Sequence, residues 1–134
     1  GKIVYRPGVD PKQRGCIVLA GGGVPGHSTD NDAVLLAKQY GAKHILNISN
    51  IDYVYSKDPG KYKSAKPLKE LNWDAFLEIV GSQRVPGGHY PFDPQASRYA
   101  KKNKLTVSFV NGNNFKNMNG YFRGVAFKGT IISL

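Results

Sequence analysis

Short apolar runs of strand character alternate with helix-patterned segments along the 134-residue chain, and this alternation predicts a single α/β domain with a mostly parallel sheet. Three observations carry the prediction. Residues 16–20 and 44–48 are apolar runs that bracket a helical stripe at 32–40, the order of a right-handed βαβ unit with parallel strands. Residues 105–110 have high β propensity and follow another helix-patterned segment. No internal repeat, linker or low-complexity stretch divides the chain, whose length suits one domain with its own core.

Each element has a local reason. Pro7, Gly8, Pro11 and Gly15 punctuate residues 1–15, which read as irregular. Residues 16–20, Cys-Ile-Val-Leu-Ala, read as a buried strand. Thr29 or Asp30 can cap the helix that follows at 32–40, and Gly41 stops it. Residues 44–48 read as the next buried strand, and residues 57–71 as an exposed loop. Asn72 can cap a helix at 73–80, stopped by Gly81. Residues 85–94 form a glycine- and proline-rich loop. It ends in Asp93, a cap, and Pro94, which suits the first helical position. That helix runs to about Asn103. After the strand at 105–110 come a loop at 111–113, a short weak helix at 114–122 and a closing strand at 129–133.

Composition narrows the functional classes. An apolar fraction of 40% fits a folded globular chain rather than a disordered one. No apolar run approaches the roughly 18 residues of a membrane span. Neither a secretory core nor an Arg-rich leader is visible, so the cytoplasm is the expected compartment. Cys16 is the single cysteine and has no internal disulfide partner; in an apolar run, a buried structural thiol is the ordinary outcome. The net charge of +10, from 19 Lys and Arg against nine Asp and Glu, favours anionic partners, either nucleotide or nucleic acid. Lys57, Lys61, Lys63, Lys66 and Lys69 follow an Asp-Pro turn, and Lys101, Lys102 and Lys104 close a helix. A solvated face and a complement to the helix C-terminus account for such runs without any ligand.

Two polar strand exits are the candidate binding segments. In open α/β sheets, ligands sit beyond the carboxyl ends of the strands. The exit after residues 44–48 reads Ser49-Asn50-Ile51-Asp52-Tyr53-Val54-Tyr55-Ser56-Lys57-Asp58-Pro59. Its rings suit a purine, and its Ser, Asn and Asp suit ribose or phosphate. Tyr53 and Tyr55 share a face if extended, and ordinary packing also explains them. The other exit is Gly21-Gly22-Gly23-Val24-Pro25-Gly26-His27-Ser28-Thr29-Asp30. Its glycines and the following helix N-terminus can cradle an anion, but a plain tight turn fits equally. It is neither GxxxxGK[ST] nor a GxGxxG followed by an acid after the second strand. Two exits about two dozen residues apart point to two ligands rather than one. His27, His44 and His89 lack metal-ligand spacing and Cys16 is alone, so no structural zinc site is expected. Asp52, Asp58 and Asp93 are candidates for Mg²⁺ or for orienting phosphate-binding groups, although capping alone explains Asp93.

These segments carry a resemblance. Gly22-Gly23-Val24-Pro25-Gly26-His27-Ser28-Thr29-Asp30 resembles the GGTxPGHTTD segment of archaeal-type UMP kinases, within the amino-acid kinase superfamily. The Ser49 to Pro59 segment resembles TNVDGVYxxDP, and Pro91-Phe92-Asp93-Pro94-Gln95-Ala96-Ser97 resembles PFDPxAA. Gly124 to Ile131 is similar to the family's closing glycine–threonine segment, so the resemblance covers nearly everything from Cys16 onward. It implies a three-layer αβα fold and the C-terminal, nucleotide-binding half of such an enzyme. It implies phosphoryl transfer from ATP to UMP with Mg²⁺, and assembly of the full-length protein as a homohexamer. Gly22, Gly23, Val24, Pro25, Gly26, His27, Ser28, Thr29 and Asp30 would meet the acceptor, UMP. Ser49, Asn50, Tyr55 and Asp58 would bind ATP, and Asp93 would organise the transfer centre.

Three departures qualify this. Tyr53 stands at the family's glycine position, which would change the turn and crowd the adenine side. Residues 5–15 look like an insertion or a different approach to the first strand. The family's N-terminal half, with its phosphate loop and catalytic lysine, has no counterpart, so the isolated chain is expected to be inactive. Two rival readings stay open: a superfamily kinase with a different acceptor, and a non-catalytic basic module for nucleotide or RNA. The module rests only on charge and lacks the aromatic strand pattern of common RNA-binding sheets.

Overall fold

The computed structural model describes residues 2–4, 17–22, 25–81 and 90–134. In chain order its elements are β1 (Lys2–Val4), β2 (Val18–Ala20), α1 (Thr29–Tyr40), β3 (His44–Ser49), β4 (Val54–Tyr55), β5 (Pro67–Leu68), β6 (Glu70–Asn72), α2 (Trp73–Val80), α3 (Pro94–Lys102), β7 (Thr106–Asn111), α4 (Phe115–Phe122) and β8 (Thr130–Ser133). The main sheet has the order β3-β7-β8-β6. The β3/β7 and β6/β8 pairs are parallel, and β7/β8 is antiparallel. The fold is therefore mixed α/β with a mostly parallel sheet, as the alternation of elements predicts.

Residues 107–110 of β7 are all buried, the pattern of a central strand covered on both faces. Val107 and Phe109 lie on the face that packs under α1, α2 and α3, together with Ile132 and half-buried Ile45. The Phe109 ring lies 6.2 Å from both Phe76 and Phe92, so it joins α2 to the segment that leads into α3. Trp73 opens α2 fully inside this core, and its indole N–H donates to the Leu105 carbonyl at 2.9 Å. That bond satisfies the one polar group a buried tryptophan carries.

The helix ends follow local chemistry. Asn72 caps α2, its side-chain oxygen accepting from Ala75 N–H at 2.8 Å. Asp93 caps α3, and Pro94 occupies the first turn. Gly41 ends α1 at φ 72°, a left-handed conformation that favours glycine. α1 departs from the expectation: it begins at Thr29, and its cap is Ser28, whose hydroxyl accepts from Asn31 N–H at 3.3 Å. Ser28, Thr29 and Asp30 are all good capping types, and Asp30 is engaged elsewhere.

Three further expectations are corrected. Residues 16–20 do not make a buried strand: Ile17 and Leu19 are 66% and 58% exposed. An apolar run can be buried only where another layer covers it, and among the described residues β2 is hydrogen-bonded to β1 alone. The predicted βαβ unit is likewise split, because β2 and β3 lie in different sheets. Residues 57–71 are not all loop. They hold β5, antiparallel to β4, and the start of β6, which pairs with β8 at the sheet edge. Strands of two or three residues are too short to show a period. Cys16, most of residues 1–15 and residues 82–89, which include most of the expected loop at 85–94, lie outside the described residues.

Candidate functional site

β3 delivers its polar exit to the mouth of a cleft of about 710 Å³. Ser49, Asn50, Tyr55 and Asp58 all line it, so one loop brings together the four residues expected at the ATP site. Ile79 and Val80 from the last turn of α2 add apolar lining. Tyr90 and Pro91 close the side towards α3. The Pro91 carbonyl accepts from the Asn47 side-chain amide at 3.3 Å, which fixes that side to β3. Apolar lining with a few polar groups is the ordinary make-up of a small-molecule site.

The exit loop is held by its own side chains. Ser49 Oγ accepts from Ile51 N–H at 3.3 Å. Asp58 Oδ1 accepts from Gly60 N–H at 2.8 Å, and its carbonyl accepts from Lys61 and Tyr62 N–H. Asp58 therefore builds a turn as well as facing the cleft, and its Oδ2 lies 3.9 Å from Lys61 Nζ in an exposed pair worth little by itself. Lys57 also lines the cleft, with its ammonium 5.7 Å from the Tyr62 ring centre. Tyr53 stands edge-on to Tyr55, ring centres 6.5 Å apart, and so backs the ring that faces the cleft.

The second exit meets the first through α3. Gly22, Pro25, Gly26, His27 and Thr29 are exposed, Ser28 is half-buried, and Gly23 and Val24 lie outside the described residues. Gly26 turns at φ 88°. None of the described residues of this segment lines the cleft. Asp30 links the two regions: its Oδ2 accepts from the Asp93 N–H at 2.8 Å. Asp93 is 5% exposed, and its Oδ1 accepts from Gln95 and Ala96 N–H at 2.8 and 3.0 Å. The N-termini of α1 and α3 thus converge with one carboxylate each. Burial pushes the Asp30 carboxyl above the usual range; the Asp93 N–H works against this, and the Asp93 charge adds to it.

Among the described residues, no group of three or more His, Cys, Asp or Glu could hold a metal ion. Mg²⁺ rarely needs such a cage, because it is commonly held by substrate phosphates with one or two carboxylates. Sequence reasoning missed Ile79, Val80, Tyr90 and Pro91, which only the fold brings to the cleft.

Comparison with known proteins identifies the family. The model of the amino acid kinase family matches residues 12–111. Uridylate kinase of Pyrobaculum neutrophilum is 39% identical over 108 residues, 81% of this chain and 50% of that one. Uridylate kinase of Pyrobaculum aerophilum is 41% identical over 96 residues, 72% and 44% of the two chains. The crystal structure of uridylate kinase from Archaeoglobus fulgidus superposes with a TM-score of 0.69 at 32% identity, covering 87% of this chain and 51% of that one. The UMP kinase structure from Bacillus anthracis gives 0.72 at 26% identity, covering 87% and 45%. The chain spans about half the length of the curated relatives it matches. With the family model matched over most of its length, the chain belongs to the amino acid kinase family.

Proposed function

We propose that this chain supplies the ATP site and part of the acceptor site of a UMP kinase, which transfers the γ-phosphoryl group of ATP to UMP and yields UDP. The observation that carries the reading is the cleft at the carboxyl end of β3, lined by Ser49, Asn50, Tyr55 and Asp58. The uridylate kinase names of the relatives support the same acceptor.

The chemistry asks for positioning and for neutralising charge, with no covalent intermediate. Tyr55 offers a ring to the base, and Asn50 and Ser49 offer hydrogen-bonding groups to ribose or phosphate. Mg²⁺ would arrive on the ATP phosphates and draw charge from them, with Asp58 the carboxylate available at the rim. Lys57 is the cation on the donor side. The acceptor role belongs to residues 22–30, where the Ser28 and Thr29 hydroxyls and the positive N-terminal end of α1 suit a phosphate. Asp93 holds the N-terminus of α3 between the two regions and organises the centre. Homo-oligomeric assembly and a cytoplasmic location go with the reading.

The test is conversion of UMP with ATP·Mg, with CMP and isopentenyl phosphate as competing acceptors. The 134 residues joined to the remaining length seen in the relatives should form UDP, and the 134 residues alone should form none. Preference for another acceptor would reassign the substrate. Steeply salt-dependent binding to RNA without turnover would favour the basic binding module.

A further inference from the structure

The ends of β3 and β7 are laced together beside the cleft by a residue that no role above uses. Asn111, the last residue of β7, donates its side-chain amide to Asp52 Oδ1 at 2.8 Å and to the Asn50 carbonyl at 3.5 Å. Its side-chain oxygen accepts from Asn113 N–H at 2.9 Å. One amide group therefore grips the next loop with its oxygen and the cleft loop with its nitrogen. The two exits are also in direct backbone contact. Gly112 N–H donates to the Ser49 carbonyl at 2.8 Å, and a Cβ at Gly112 would come within 2.7 Å of the Ile48 side chain.

We infer that Asn111 is a positioning residue for the donor nucleotide: it holds the 50–52 rim in the conformation that presents Asn50 to the cleft. This rests on the ATP reading of the cleft. The bond to Asp52 is charge-assisted, so it is the stronger of the two contacts to the rim. It also has a direction. The rim needs a donor at position 111 and an acceptor at position 52. Lengthening or loosening that bond frees the Asn50 backbone, whose Asn111 contact is already long. The remote half of the molecule, including the acceptor segment at 25–30, has no part in it.

The direction makes the inference testable with three variants. Asn111→Ala removes both grips. Asn111→Asp keeps the oxygen that accepts from Asn113 but sets a second carboxylate against Asp52. The double variant Asn111→Asp with Asp52→Asn restores one donor and one acceptor with their sides exchanged. Two readouts are taken on the same samples: amide hydrogen exchange at Ile51 and Asp52, and ATP·Mg affinity. Exchange should quicken and affinity fall by about tenfold in Asn111→Ala, the size of one lost charge-assisted bond, and by more in Asn111→Asp. The double variant should return to within about threefold of the unaltered chain, and affinity should change with no matching change in thermal midpoint, which a merely structural role would not produce. The thermal midpoint serves as the control for folding.

Equal effects of Asn111→Ala and Asn111→Asp, or no recovery in the double variant, would overturn the inference. Absence of ATP·Mg binding in the unaltered chain would instead remove the functional reading. Exchange at Ile51 and Asp52 would then decide by itself whether Asn111 holds the rim.

Discussion

Replacing Asp93 separates two roles that a single carboxylate combines. Its Oδ1 accepts from Gln95 and Ala96 N–H, and the Ala96 bond is buried. Asp93→Ala leaves both donors without a partner at a position 5% exposed to water. Loss of an N-cap costs about 0.5–2 kcal/mol, and a buried unsatisfied N–H about 1–3 kcal/mol. Water can reach Gln95 more readily than Ala96, so the two costs overlap, and a total of about 2 kcal/mol is expected. For a domain of this size that lowers the thermal midpoint by roughly 6–10 °C. Asp93→Asn keeps an accepting oxygen and loses only the charge that complements the helix N-terminus, a cost of about 0.5–1 kcal/mol. The assay is far-UV circular dichroism against temperature, with urea unfolding as a cross-check. If Asn destabilises as much as Ala, the stabilisation comes from the charge, and the capping argument fails. In the enzyme of full relative length, Asp93→Asn should also reduce turnover; unchanged turnover would leave Asp93 a structural role only.

Gly129→Ala should be among the most damaging small substitutions, because the added methyl would overlap the Phe109 carbonyl oxygen and the Phe127 ring. Backbone cannot move aside as a side chain can, so urea unfolding should show a loss of about 3 kcal/mol or more. Gly22→Ala, where nothing lies within 4 Å, should stay within about 0.5 kcal/mol of the unaltered chain. Asp30 gives a pH signature. A carboxyl whose folded value is raised holds its proton more tightly when folded, so its contribution favours folding below the usual carboxylate value of about 3.9 and is lost as pH rises through the folded value. Asp30→Asn keeps an oxygen for the Asp93 N–H and does not titrate. Its thermal midpoint should therefore gain on that of the unaltered chain as pH is raised from the acid side, and the opposite trend would refute the burial argument.

Some of this molecule was legible from local chemistry. Asn72 before α2, Asp93-Pro94 before α3 and Gly41 after α1 act through bonds within four residues, so sequence alone locates them. The cap of α1 was less accessible. Ser28, Thr29 and Asp30 are equivalent by type, and what separates them is the Asp93 N–H, which takes Asp30 from 63 residues away. The exposure of Ile17 and Leu19 was not legible either, because apolar character does not say whether a covering layer exists. The cleft divides in the same way. Its polar rim follows from the rule that ligands sit at strand exits, which singles out Ser49 and Asn50. Its apolar lining comes from the last turn of α2, whose Ile79 and Val80 look like any other helix-face residues until the fold brings them to the cleft.

The central claim is that the β3 exit binds the donor nucleotide. Isothermal titration of ATP·Mg into this chain, beside Asp58→Ala and Tyr55→Ala, tests it most directly. Asp58→Asn is included because it keeps an oxygen for the Gly60 N–H and so preserves the turn. The account predicts weak one-to-one binding by the unaltered chain, weakened in Asp58→Ala and in Tyr55→Ala, with Asp58→Asn between the two extremes. No binding, or equal affinity in the unaltered chain and in Asp58→Ala, would contradict it.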